Sequence, residues 1–211
     1  MTALFETLCP PTERLLRRCA LALLLLGLAP VGGNAASWTA KEVVSTYAID
    51  GATGIDLYRS IGEKGPAIGP TRAIAHTTFK LTWRRDYQRR GRDCVLASAV
   101  PKLIITYTLP KPRRALTGAV AARWKTFIDG IAAHERVHGA DIVAMVEAIE
   151  RESVGLTATN DPDCKKIRTD LTERLGRLSN EQRAKSRAFD AVEMSAGGNV
   201  QRLILALVDP S

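Results

Sequence analysis

Much of what this chain lacks is informative. After its first thirty residues it has no apolar run approaching the ~20 residues a transmembrane helix needs. It has no internal repeat and no low-complexity linker, so neither a repeat array nor domains strung on a tether fit. It carries no recognisable nucleic-acid-binding motif, which makes nucleic acid a poor partner despite a net charge of +8. Cysteines number four, and no pair of them has a histidine nearby, which rules out a zinc finger. Histidine is scarcer still, with three in 211 residues.

The N-terminus has a different character. Arg14, Arg17 and Arg18 precede a Leu- and Ala-rich run from Cys19 to Pro30, followed by the small residues of VGGNAAS. A basic start, an apolar stretch of about a dozen residues and a small-residue exit describe a secretory signal peptide. Residues 1–35 are read as that signal, with cleavage after Ala35 or Ala36. Residues 37–211 are then one α+β domain. An uncleaved anchor is the competing reading. Cys19 opens the apolar run, so a lipid-modified N-terminal cysteine does not fit. The expected location is periplasmic or secreted.

Export changes how the remaining residues read. Cys9 and Cys19 leave with the signal, and Cys94 and Cys164 remain. Two cysteines in an oxidising compartment most simply form one disulfide. Closing a loop of about 70 residues contributes roughly 4 kcal/mol in the chain-entropy model. Two buried free thiols are the alternative. Loss of three arginines and two glutamates with the signal leaves +7. Much of that charge sits in TWRRDYQRRGRDC, with Arg84, Arg85, Arg89, Arg90 and Arg92. The stretch Arg84–Arg92 is either a solvated hairpin tip or a patch that attracts an anionic envelope surface.

Strand patterns come first. KEVVSTYAI ends at Asp50-Gly51, and TGIDLYRSIGEKGP spaces Ile55, Tyr58 and Ile61 as a short helix. AIAHTTFKLTW alternates with strand period, and DCVLASAVPKLIITYTLP reads as one or two strands rich in Val, Ile, Thr and Tyr. The Arg-rich stretch around Gly91 is the expected turn between them. Past Pro110 and Pro112 the period becomes helical. Apolar residues recur at three- and four-residue steps from Thr117 to about Ser153, and Gly155 stops the helix; Gly130 inside it marks close packing. TATNDP reads as a loop, with Asp161 capping a second long helix and Pro162 in its first position. That helix runs to about Phe189, and VQRLILALV closes the chain. The expected fold is α+β: N-terminal antiparallel strands packed on two long C-terminal helices.

Two of the three histidines fall in the first long helix, in His134-Glu135-Arg136-Val137-His138. Residues four apart share a helix face, so both imidazoles can reach one ion at about 2 Å. Glu135 is rotated by about 100° and can reach a metal-bound water without ligating the ion. Zinc lowers that water's pKa toward 7, and the carboxylate takes the proton. This is the chemistry behind H-E-x-x-H on a helix, and chance gives such a string in this composition roughly once in five hundred such chains. The competing reading is a helix with two solvated or core-satisfied histidines.

A catalytic zinc needs a third protein ligand. The place of a third histidine six residues further on is taken by Ala144. Glu193, beyond the second long helix, is the leading candidate, with Asp190 close to it. His76 is the only other histidine. Asp141 lies on the same helix face as His134, but one continuous helix rarely supplies all three ligands. The expected set is therefore metal ligands His134, His138 and Glu193, with Glu135 as catalytic base. Asp141 and Asp190 are placed to orient the ligating rings. The developing oxyanion needs a further donor, and Tyr107, Arg136 and His76 are candidates.

Several stretches in order resemble a known family. They are YAIDGATGIDLYRSIGEKGP, AHTTFKLTW, the Cys94 strand with YTLP, Trp124 followed by HERVH, Cys164, and the pair Phe189-Asp190. Together they resemble the bacterial family DUF922, usually described as predicted secreted zinc-dependent proteases. The likeness covers nearly all of the chain beyond the signal. It implies a metallopeptidase in which His134, Glu135 and His138 act as ligand, base and ligand. The family's C-terminal pattern is close to aromatic-Asp-x-x-Thr-x-His-Gly. Here the stretch reads FDAVEMSAGG, with Glu193 for the Thr and Ser195 for the His.

The function expected is a secreted or periplasmic zinc-dependent hydrolase, a peptidase acting on protein or peptide. The alternative is a non-catalytic metal-binding or envelope interaction protein using the basic hairpin.

Overall fold

A long β-hairpin and a long helix lying across it organise the chain. The computed structural model describes residues 38–209, and the signal segment expected at 1–35 lies outside them. The hairpin pairs the whole of β4 (His76–Arg90) with residues 93–108 of β5 (Asp93–Pro112). Gly91, at φ 64, makes the turn, a conformation that suits glycine. The arginines expected in the turn belong largely to β4, because pairing continues to Arg90↔Asp93.

β1 (Lys41–Ile49) lies on the other side of β5 and runs parallel to it, giving the order β1-β5-β4. This departs from the all-antiparallel sheet expected. β1 reaches β5 only after an excursion through α1 (Gly54–Lys64), the two-residue strands β2 (Ala67–Ile68) and β3 (Thr71–Arg72), and β4. A parallel neighbour requires such a long connection.

Strand alternation sets the faces. Leu103, Ile105, Tyr107 and Leu109 of β5 are buried, while Ile104, Thr106 and Thr108 between them are half-buried and Lys102 before them is exposed. The buried row packs on α2 (Gly118–Ser153), whose Ile142, Met145, Val146 and Ile149 recur at helical spacing. α2 ends where Val154 and Gly155 leave helical geometry, Gly155 at φ 86. Phe127 and Ile131 in its first half meet Ile49, Leu57 and Ile61, together with Val200 and Leu207 of α4 (Asn199–Val208). Gly130 lies against Leu203 of α4: a Cβ there would stand 2.4 Å from Leu203 Cδ1.

The far end of the hairpin is pinned by the Cys94–Cys164 disulfide, with Cα atoms 5.3 Å apart and both cysteines buried beside Leu96, Ile167 and Leu171. Disulfides persist outside the reducing cytoplasm, so the bond points to an extracytoplasmic protein. No helix among the described residues is long and apolar enough to cross a membrane. The TATNDP loop contains a short strand, β6 (Thr157–Ala158), paired with Cys94 and Val95.

α3 (Lys166–Glu193) starts later than Asp161-Pro162 suggests. Cys164 takes a positive φ of 54, so no helix can pass through it. Asp161 still caps from a distance: its carboxylate accepts from the backbone N–H groups of Lys165, Lys166 and Ile167 at 2.7–3.1 Å. α3 then runs antiparallel to α2, and cross-links mark the register. Arg177 meets Glu152, Lys185 meets Asp141, and Asp190 meets His134 and His138.

Candidate metal centre

The centre lies between α2 and the last turn of α3. His134 and His138, four apart on α2, turn their Nε2 atoms toward each other at 3.2 Å. Asp190 Oδ1 stands 3.1 Å from His134 Nε2 and 2.9 Å from His138 Nε2. Phe189 stacks on the His134 ring, with centroids 4.7 Å apart and planes at 21°. His134 is buried, and His138 and Asp190 are partly so.

Three donor atoms converging at 2.9–3.2 Å fit a metal ion. Ligand bonds of about 2.0–2.1 Å at tetrahedral angles put neighbouring ligand atoms about 3.3 Å apart. For the triangle observed here, a point about 2 Å from all three atoms lies about 1 Å off its plane. The donor chemistry agrees: two imidazoles and one carboxylate suit zinc, and they also suit iron(II).

Electrostatics favours the charged carboxylate. Burial pushes the Asp190 carboxyl upward, but the hydrogen bonds and charge of His134 and His138 together outweigh it and hold the group well below the ordinary range. It is therefore anionic at neutral pH, the form that ligates. In the ion-free protein the hydrogen bond from His138 to Asp190 raises the His138 pKa, against the opposing effect of burial.

Glu135 is buried on the sheet side of α2. Thr77 of β4 reaches across, its Oγ1 donating to Glu135 Oε2 at 2.5 Å and lying 3.2 Å from the Glu135 carbonyl oxygen. The carboxylate is thus held beside the histidines by the neighbouring strand.

The other sequence candidates are distributed differently. Glu193, expected as the third ligand, approaches the opposite side of the His134 ring, with Oε2 3.6 Å from Nδ1. Asp190, expected to orient a ring, takes the place facing both Nε2 atoms. The two residues are three apart and share one face of α3, so both reach His134 from different angles. Asp141 bonds neither histidine; its Oδ1 pairs with Lys185 Nζ at 2.7 Å, clamping α2 to α3 one step along from the centre. His76 precedes Thr77 on β4, and adjacent strand residues face opposite sides. Since Thr77 faces Glu135, His76 points away, and it stands outside the cluster.

Tyr107 is on the inner face, paired with Thr77. Burial, reinforced by its hydrogen bond to Glu42, pushes its pKa up to about 12, so it is a neutral phenol. Its hydroxyl donates to Glu42 Oε1 at 2.9 Å, which commits the proton elsewhere. Arg136 is exposed on α2. In the basic stretch, Arg85 lies over the Trp83 ring at 5.1 Å and Arg89 pairs with Asp163 at 3.7 Å.

Sequence reading overlooked Thr77 and Lys185. Thr77 sat within a strand with no motif around it. Lys185 lies in a polar run of α3, and only the packing of α3 on α2 brings it to Asp141.

A family model described as "Bacterial protein of unknown function (DUF922)" matches residues 44–198, from the first strand through the centre to the end of α3. The chain belongs to that family. No curated protein and no solved structure gives a significant match.

Proposed function

We propose that this DUF922 protein is a zinc-dependent hydrolase, a peptidase acting outside the cytoplasm, with His134, His138 and Asp190 as metal ligands and Glu135 as general base. The observation that carries the reading is the convergence of two Nε2 atoms and one carboxylate oxygen within 3.2 Å of one another, beside a buried glutamate. When bound, zinc supplies a polarised carbonyl and a water acidified toward pKa 7.

The chain's own residues do the rest. His134 and His138 offer their Nε2 lone pairs, so each ring keeps its proton on Nδ1. Asp190 adds one negative charge, which leaves the centre with a net positive charge toward an incoming carbonyl oxygen. Thr77 holds Glu135 Oε2, leaving Oε1 to accept the water proton and pass it to a leaving amine. The same donor set would suit iron(II). A carboxylate next to the first histidine, placed to move a proton, favours hydrolysis over oxygen chemistry.

The test is cleavage of a diverse peptide mixture read by mass spectrometry, comparing the purified protein with Glu135→Gln. Cleavage should fall by about 100-fold or more in the variant while bound metal stays the same. Equal cleavage by both proteins, or none by a fully zinc-loaded wild type, would overturn the hydrolase reading. A metal-binding envelope protein without catalysis would then take its place.

A further inference from the structure

The far side of the His134 ring has an unfinished contact. His134 Nδ1 is buried and has no hydrogen-bond partner. The carboxylate facing it is Glu193, with Oε2 at 3.6 Å. That exceeds the usual N–H···O range of 2.7–3.2 Å by about half an ångström. Glu193 is itself largely covered, with a side chain 17% exposed, and Asn199 Nδ2 at the start of α4 donates to the same Oε2 at 3.3 Å.

We propose that Glu193 is the positioning residue for His134, accepting its Nδ1 proton and so fixing the tautomer that presents Nε2. This rests on the metal reading above. A neutral imidazole has one proton, and whichever nitrogen carries it cannot bind an ion. A carboxylate at Nδ1 keeps the proton there, raises the basicity of Nε2 and stops the ring from turning. Phe189 stacked on the ring face supplies the second restraint. One turn of α3 thus provides three contacts to one histidine: Phe189 on its face, Asp190 at Nε2 and Glu193 at Nδ1. The turn from α3 into α4 sets the position of the last, because Asn199 anchors the Glu193 carboxylate.

Zinc affinity, measured by competition with a chromophoric chelator, tests this on wild type, Glu193→Gln, Glu193→Ala and Asp190→Ala. Glu193→Ala should bind zinc roughly 10–100-fold more weakly, and Glu193→Gln should fall between it and wild type, since an amide oxygen still accepts. Asp190→Ala should lose more than either. Long-range nitrogen–proton NMR on the zinc-loaded protein should show the His134 proton on Nδ1. The metal-free Glu193 variants should melt within a degree or two of metal-free wild type, which separates positioning from a general loss of fold.

If wild type binds zinc and Glu193→Ala binds it within twofold as tightly, the positioning role is wrong and the metal reading stands. If cobalt(II) spectra show a ligand lost in Glu193→Ala but not in Asp190→Ala, Glu193 is a ligand and the proposal is again overturned. Wild type that takes up no zinc overturns both readings.

Discussion

Gly139→Ala should destabilise the protein through a single contact. Gly139 directly follows His138 on α2 and faces Tyr107 of β5. A Cβ there would stand 2.1 Å from the Tyr107 hydroxyl and 3.0 Å from Cζ. Ordinary van der Waals contact begins near 3.4 Å, so the phenol must retreat by more than 1 Å. Tyr107 is only 2% exposed, so the movement takes place inside the packed core. Overpacking of this kind costs about 1–3 kcal/mol, and loss of the Tyr107–Glu42 hydrogen bond adds about 1. Replacing glycine in a helix interior returns about 1 kcal/mol. The net is a loss of about 1–3 kcal/mol, or a fall in Tm of roughly 2–12 °C for a chain of this size. Thermal and urea unfolding of a double-mutant cycle checks it. In a Tyr107→Ala background the alanine at 139 has nothing to strike. Its cost should vanish, or become a gain of up to about 1 kcal/mol. Additive effects at the two positions would refute this account of the helix–sheet contact.

Replacing both Cys94 and Cys164 with alanine should cost roughly 4 kcal/mol, because the bond closes a loop with a sequence separation of 70; calorimetry of the two proteins measures it. Asp161 has a lowered pKa: burial opposes the shift, but three backbone N–H donors together prevail. Its contribution is therefore present above the unfolded carboxylate value of about 3.9 and is lost as pH falls from there through the lowered folded value. Asp161→Asn should remove that acid limb from a plot of stability against pH, and an unchanged limb would count against the cap. Thr77→Val should lower the rate of peptide cleavage while leaving zinc affinity unchanged, because it frees Glu135 Oε2 without touching a ligand.

How much of this was legible in the sequence depends on the range of the interaction. The period-2 runs and the helical run through Trp124 and Ile149 report local geometry, and they locate β1, β4, β5 and α2 closely. The two prolines and Gly155 bound α2 for equally local reasons. The spacing of His134 and His138 fixes a shared helix face, so half of the centre was readable. The third partner was not. Asp190 and Glu193 lie on one face of α3, and the rotation of α3 about its axis decides which meets Nε2 and which meets Nδ1. His76 and Thr77 pose the same problem on a strand: alternation separates them, but only packing tells which one faces α2. The parallel pairing of β1 with β5 is likewise a choice between distant partners. Cys164 shows the reverse case. Its disulfide was legible, yet the left-handed turn that carries it delays the start of α3 and moves Asp161 out of the cap position.

The most direct test of the central claim is the metal content of the purified protein by elemental mass spectrometry, with His138→Ala and Asp190→Ala alongside. The account predicts close to one zinc per chain in the wild type and near-complete loss in both variants. Wild-type protein that holds no metal after zinc reconstitution, or an Asp190→Ala variant that keeps its zinc, would contradict it.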